Sequence, residues 1–395
     1  MAGHPMRRIP ISVVAGLVTL VLFVLAGHSV LADLNASPNI QTTPVAPPAP
    51  PDGANNQVCL GCHSNPVQQM KAANGEVISL YVDPDAFKTS MHGAKGFACT
   101  VCHTNISGYP HPEYKPADRR QVTLDLYTAC KQCHGDNYSK TLDSVHQKAL
   151  ASGNRLGAVC TDCHGAHDVR KPDQPRKNLA VMCSKCHNAI FAQYQTSVHG
   201  VALMTSDDPD VPTCTDCHGV HQIQDPTTIA FRLKSPTEMC GKCHTDPKRM
   251  RQDKYKKQDG TYISTNVLNS YVADFHGTTV TLFEKQSPDQ LTNKPVCFDC
   301  HGVHDIASTN DPQTGLQIKS NMLKVCQKCH PDATTESFTD SWLSHYQPSP
   351  QEYPVVYYVN LFYKIFVPTV LGAMVLLILL DAVRRLLNRR AGKEA

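Results

Sequence analysis

The stretch Cys214-Thr-Asp-Cys-His-Gly-Val-His221 brings two thiols and two imidazoles into eight residues. Near copies, CTDCHGAH and CFDCHGVH, occupy residues 160–167 and 297–304. The first part of the stretch, Cys-x-x-Cys-His, occurs nine times in the 395-residue chain and uses all 18 cysteines. Because no cysteine is left over, spare thiols cannot supply a disulfide framework, although exported proteins often have one.

The repeated Cys-x-x-Cys-His motif predicts covalent attachment of c-type haem. Its two thiols bond to the vinyl groups on one edge of the porphyrin, and the histidine that follows binds the iron as the proximal ligand. A zinc site and a thioredoxin-like redox disulfide are the alternatives, but neither explains why histidine follows all nine times. The predicted thioether cysteines are Cys59, Cys62, Cys99, Cys102, Cys130, Cys133, Cys160, Cys163, Cys183, Cys186, Cys214, Cys217, Cys240, Cys243, Cys297, Cys300, Cys326 and Cys329. The predicted proximal ligands are His63, His103, His134, His164, His187, His218, His244, His301 and His330.

Further histidines match the nine irons in number. Apart from His4 and His28 near the N-terminus, the candidates for the distal ligands are His92, His111, His146, His167, His199, His221, His276, His304 and His345. Each iron needs a sixth ligand, so we predict histidine on both faces of most irons. A methionine thioether is the alternative distal ligand. His221 follows His218 by only three residues and cannot wrap to the opposite face of the same iron, so we predict that it binds the iron of a neighbouring motif.

The motifs recur as a repeat, which sets the architecture. Each unit runs Cys-x-x-Cys-His, a histidine often written Ser-x-His, a second Cys-x-x-Cys-His and a closing histidine. The chain between motifs shows little sustained periodicity. We predict a mainly α fold with much irregular loop, in which a multihaem cytochrome c array of stacked haems forms the core and the aliphatic core is thin. The predicted cytochrome domain spans 59–348, with units at 59–111, 130–167, 183–221 and 240–304 and a half unit at 326–345. The segment 250–281 is predicted to be an insertion. Short helices are predicted over the motifs and over residues 141–151 and 188–197.

Residues 59–345 resemble the multihaem c-type cytochromes with doubled Cys-x-x-Cys-His motifs. The resemblance rests on Cys-x-x-Cys-His-Gly-x-His and on Ser-x-His-Gly, both of which recur in this chain. It implies stacked haems in a chain, low-spin iron, low reduction potentials and electron transfer. Unlike the quinol-oxidising periplasmic tetrahaem proteins, which carry an N-terminal anchor, this chain has its clearest anchor candidate near the C-terminus.

The two ends of the chain predict export and membrane anchoring. Residues 1–32 have the charged start, apolar run and small residues of a signal peptide, with an uncleaved anchor as the alternative. Residues 33–58 form a proline-rich linker. Residues 355–383 are predicted to be a transmembrane helix, with a buried core helix as the alternative, and the basic tail 384–395 indicates that the C-terminus is cytoplasmic. We therefore expect a single-pass protein of the cytoplasmic membrane with its haem domain on the periplasmic side.

The predicted ligation and the charge balance define the expected function. Without the eight basic and two acidic residues of the terminal segments, 29 basic and 32 acidic residues remain, which excludes nucleic-acid partners. Iron with histidine on both faces has no vacant site for a substrate. We predict a carrier with nine covalently bound haems c that links a membrane cytochrome b or other quinone-linked subunit to periplasmic or extracellular redox proteins. The half unit 326–345 would lie at the membrane side.

Two other functions compete with the carrier. One is a multihaem reductase of nitrite, hydroxylamine or a sulfur oxyanion, with one iron open to substrate. The sequence contains no Cys-x-x-Cys-Lys, a variant that marks one such active site. The reductase requires that one distal candidate does not ligate, and His111 is the most distinct of them because of its Tyr-Pro-His-Pro setting. The other function is a subunit of an extracellular cytochrome filament, which the predicted anchor disfavours.

Overall fold

A computed structural model describes residues 56–206, 208–256, 260, 262–287, 289–337, 345, 349–350 and 354–392. The predicted signal peptide and most of the predicted linker lie outside these residues. Within them the chain is mainly helical with long irregular connections, which confirms the predicted fold class. The helices are α1 Asn56–His63, α2 Pro84–Lys88, α3 Cys99–Cys102, α4 Arg119–Leu126, α5 Gly135–Thr141, α6 Val145–Ala151, α7 Cys160–His164, α8 Asn178–Ser184, α9 Asn188–Thr196, α10 Val198–Ser206, α11 Cys214–His218, α12 Ile229–Lys234, α13 Lys242–His244, α14 Pro247–Met250, α15 Val267–Ala273, α16 Phe275–Gln286, α17 Cys297–His301, α18 Lys319–Cys326 and α19 Pro354–Ala391.

A short hairpin follows the first motif, and the sequence analysis did not predict it. Strand β1, Gln69–Lys71, pairs antiparallel with β2, Val77–Ser79, in the register Met70 opposite Ile78. Three residues per strand carry too little alternation for a sequence pattern to reveal. The hairpin supports the first motif, because Leu80, just beyond β2, accepts a hydrogen bond from Nδ1 of His63 at 2.8 Å.

The apolar core is thin. Two small clusters of fully buried residues occur in the described chain, one formed by Ala180, Leu203 and Val211 and the other by Leu233, Val280 and Val296. The second cluster packs α12 against α16, and α16 begins within the segment 250–281 that sequence analysis treated as an insertion. Each cluster is small for a domain of this length, so side-chain burial alone supplies limited stabilisation.

The C-terminal helix α19 is long, apolar and exposed along its length. Its apolar part, Pro354–Asn388, has 35 residues and by length and composition can cross a membrane. At 1.5 Å per residue it rises about 52 Å, more than the roughly 30 Å of a hydrocarbon core. The helix therefore fits a single membrane span, and it continues beyond the predicted span 355–383 into the predicted basic tail.

Candidate haem-binding sites

Local sequence explains how three motif helices begin. In α7, α11 and α17 the second of the two residues between the cysteines is aspartate, at the third helical position. Its carboxylate accepts a hydrogen bond from the backbone N–H that precedes the helix: Val159 donates to Asp162 at 2.7 Å, and Val296 donates to Asp299 at 2.6 Å. Such bonds satisfy amide groups that a helix start otherwise leaves unpaired. The motif therefore starts its own helical turn.

Each of these aspartates also binds an arginine from the segment before the preceding motif. Arg120 donates to both carboxylate oxygens of Asp162 at 2.9 Å, and Arg232 contacts those of Asp299 at 2.9 and 2.5 Å. The third pair is Arg176 with Asp216, at 2.5 Å. In the Arg232–Asp299 pair two nitrogens of one guanidinium donate to the two carboxylate oxygens, which fixes the carboxylate in orientation as well as distance. These three Arg–Asp clamps tie the two motifs of one unit together.

The sequence analysis missed these clamps. The signal that could have found them was the aspartate shared by CTDCH and CFDCH. The second motif, Cys99-Thr-Val-Cys102, has valine at that position. There Asn56 takes over, accepting from the backbone N–H of Cys99 at 2.8 Å and donating to Phe97 O at 3.0 Å. A neutral side chain thus holds the first two motifs together.

The tertiary structure brings the eighteen candidate ligands together in nine pairs. Every pair joins one proximal candidate to one distal candidate, with ring centres 6.0–6.4 Å apart. The pairs are His63–His111, His103–His167, His134–His92, His164–His221, His187–His146, His218–His304, His244–His199, His301–His345 and His330–His276. All candidate ligands are therefore placed, and none requires a methionine partner.

These separations can be compared with what a shared iron demands. A metal–imidazole nitrogen bond is about 2.0–2.1 Å long and the ring centre lies about 1.1 Å further, so imidazoles on opposite sides of one metal have centres roughly 6.2–6.4 Å apart. The pairs lie within about 0.2 Å of this range. A tetrahedral zinc site would instead need a cluster, and no group of three or more histidine, cysteine, aspartate or glutamate side chains suited to a metal ion forms in the described residues. The residues present therefore fit haem iron held from both faces.

The partner of His221 is a histidine of another motif. Its ring centre lies 6.2 Å from that of His164, whereas His218 lies 6.2 Å from His304. The closing histidine of one unit thus meets the second motif of the preceding unit. Conversely, the Ser-x-His-type residues 92, 146, 199 and 276 each meet the first motif of the following unit. Eight of the nine pairs join histidines of two different repeat units, and His63–His111 is the exception.

Backbone hydrogen bonds also join neighbouring repeat units. The residues before three of the Ser-x-His-type histidines donate their N–H to a carbonyl two residues beyond the closing histidine of the next unit. Met91 donates to Val169 O at 2.8 Å, Val145 to Ile223 O at 3.0 Å and Val198 to Ile306 O at 2.9 Å. Neighbouring units are therefore interlocked by the backbone as well as by histidine pairs.

Burial lowers the pKa of several paired imidazoles and so favours the neutral form that ligation requires. Burial first, and then the neighbouring imidazole, lowers the pKa of His92, His146 and His218. The effect is largest at His199, where burial and His244 lower the pKa to about 4. Since desolvation disfavours the charged imidazolium, these side chains remain unprotonated at neutral pH and can donate a lone pair to a metal.

The motifs follow one another in space in their order along the chain. Within a unit the first cysteines meet: a hydrogen bond to the Cys160 thiol lowers the pKa of Cys130 to about 7. The same contact joins Cys59 to Cys99, Cys183 to Cys214 and Cys240 to Cys297. Between units, burial and then the nearby thiol of Cys183 raise the pKa of Cys163 to about 11, and Cys102, Cys217 and Cys300 likewise interact with the next motif. Nine motifs thus form one continuous series.

Comparison with known proteins agrees with this chemistry. The family model described as Cytochrome c3 matches residues 91–188 and, overlapping them, residues 152–245. No curated protein and no solved structure matches the chain significantly. Over residues 91–245 the chain is thus similar to the cytochrome c3 family, and this similarity supports a multihaem c-type cytochrome that binds haem c covalently and transfers electrons.

Proposed function

We propose that the protein is a membrane-anchored electron relay with nine haems c, each bound by histidine on both faces. The nine histidine pairs at 6.0–6.4 Å carry this proposal. Bound haem supplies reversible one-electron chemistry. The chain's own residues bring two imidazoles together at each site and keep successive motifs adjacent.

The pairing favours a carrier over a reductase. A reductase needs one iron with an open coordination position, and the described pairs leave no motif without a second imidazole. His111, the candidate most distinct in sequence, lies 6.0 Å from His63, and its Nδ1 donates to Gly108 O at 2.8 Å. It is therefore held in position by its own loop, although its side chain is exposed.

The direction of the series along the chain suggests where partners bind. The ninth motif is the one nearest in sequence to α19, and Arg384 and Arg385 near the end of that helix favour a cytoplasmic C-terminus. A cytochrome b or other quinone-linked subunit of the membrane would then exchange electrons at the ninth motif. The opposite end, with exposed His111 and Tyr109, would serve periplasmic or extracellular redox proteins.

Mass spectrometry and spectroscopy of the purified, detergent-solubilised full chain test the proposal. We expect nine covalently bound haems, wholly low-spin ferric iron and no binding of carbon monoxide to the ferrous protein. A mass equivalent to markedly fewer haems would contradict the relay. A high-spin fraction near one-ninth that binds carbon monoxide would instead support the reductase.

A further inference from the structure

Four equivalent residues, each two positions before a Ser-x-His-type histidine, accept a hydrogen bond from a backbone N–H that follows them. Three are buried serines: Ser90 accepts from Gly93 N at 3.0 Å, Ser144 from Gln147 N at 3.3 Å and Ser197 from Gly200 N at 3.0 Å. The fourth is Asp274, in the sequence Ala-Asp-Phe-His-Gly, which caps α16 and accepts from His276 N at 3.3 Å. Serine is sufficient for the capping role, so the aspartate calls for a separate explanation.

The carboxylate of Asp274 also reaches the imidazole ring two residues further on. Its Oδ2 lies 2.9 Å from Nδ1 of His276, and both side chains are about three-quarters buried. Other paired histidines meet neutral oxygens: Nδ1 of His63 bonds to Leu80 O, and Nδ1 of His345 lies 3.0 Å from the hydroxyl of Ser270. At His276 the hydrogen-bond partner is a carboxylate oxygen.

A carboxylate that accepts the Nδ1 proton has two effects on a metal-bound histidine. It leaves Nε2 as the nitrogen available to the metal and fixes the ring orientation. It also makes the imidazole more basic and therefore a stronger electron donor to the metal. Stronger donation and a nearby negative charge both favour ferric over ferrous iron, so both lower the reduction potential.

We propose that Asp274 is a positioning residue that lowers the reduction potential of the haem attached through Cys326 and Cys329. The inference rests on the proposed function, because it takes His276 as the distal ligand opposite His330. The affected site ends the series of motifs and is the one nearest to α19 along the chain. A low potential there suits electron entry from a membrane donor, since electrons then move from this site towards sites of higher potential.

The test uses the full-length holoprotein and three variants. Asp274→Ser introduces the residue found at the three sister positions, and Asp274→Asn keeps the cap and the shape while removing the charge. Asp311→Asn is the matched control, because Asp311 is an exposed loop carboxylate bonded to Thr314 and to the backbone of Gln313. Spectroelectrochemical titration, monitored in parallel by electron paramagnetic resonance, gives the potentials and the low-spin signals.

In Asp274→Ser we expect about one-ninth of the absorbance change to shift to a higher potential. The shift should correspond to a change of tenfold or more in the oxidation equilibrium, about 59 mV for one electron. Asp274→Asn should shift in the same direction by less, and Asp311→Asn should leave the curve unchanged. One low-spin resonance should move in the Asp274 variants while the haem count stays at nine.

The variant His276→Ala separates failure of this inference from failure of the proposed function. If His276→Ala makes one-ninth of the iron high-spin but neither Asp274 variant moves a potential, the role of Asp274 is wrong and the ligation stands. If His276→Ala leaves all iron low-spin, the distal assignment itself is wrong and the inference falls with it. Should Asp274→Ser fail to mature, an unshifted potential in Asp274→Asn would still overturn the inference.

Discussion

Replacement of His221 by alanine gives the sharpest test of the interlocked ligation. The ring of His221 lies 6.2 Å from that of His164, so the variant should remove the distal ligand of the iron held by His164 and leave the iron of His218 untouched. One of nine irons would become five-coordinate. The expected signature is a high-spin fraction of about one-ninth that binds carbon monoxide, with eight sites unchanged.

The identity of the opened site can be determined by removing one haem at a time. In the His221→Ala background, replacing Cys160 and Cys163 by alanine should abolish the high-spin signal, because that attachment site carries the opened iron. Replacing Cys214 and Cys217 instead should leave the high-spin signal in place. If the signal disappears with the Cys214 and Cys217 pair, His221 serves the iron of its own motif and the reasoning from the structure is refuted. His304→Ala is the matched control, since its opened iron should belong to the motif of His218.

Three other outcomes are expected. Arg232→Ala should lower the free energy of unfolding of the holoprotein by about 1–3 kcal/mol, because the partly buried carboxylate of Asp299 loses its charged partner. The control Arg119→Ala, at a more exposed ion pair, should lower it by less than about 1 kcal/mol. Equal effects of the two variants in chemical denaturation would contradict a stabilising role of the Arg232–Asp299 clamp. Ligation by His199 should persist on acidification to about pH 4, because burial and His244 lower the pKa of His199 to about 4 and protons do not displace the metal from the imidazole above that pH. A transition of this site to high-spin iron near pH 6 would contradict the prediction. A chain produced without haem attachment should be largely unfolded and sensitive to protease, because the aliphatic clusters are small; a compact and resistant apoprotein would show that side chains alone can build this fold.

Several structural features were not accessible from sequence patterns. The Arg–Asp clamps join residues 40 to 67 positions apart, and no local period marks such a contact. The hairpin Gln69–Ser79 is too short to show alternation. The helices at 141–151 and 188–197 were located approximately, since the first range contains the last residue of α5 and the whole of α6, and the second corresponds to α9. Each of these features is either an element too short to show a sequence period or a contact between residues far apart in the chain.

The amino-acid sequence by itself predicted the chemistry of each site, because the nine Cys-x-x-Cys-His motifs and the nine further histidines are visible in residue type and spacing alone. Only the tertiary structure decided which imidazoles face one another. His218 meets a residue 86 positions later, and His330 meets one 54 positions earlier. The physical reason is that the motif is a local property of five consecutive residues, whereas the two imidazoles of every pair except His63–His111 come from different repeat units.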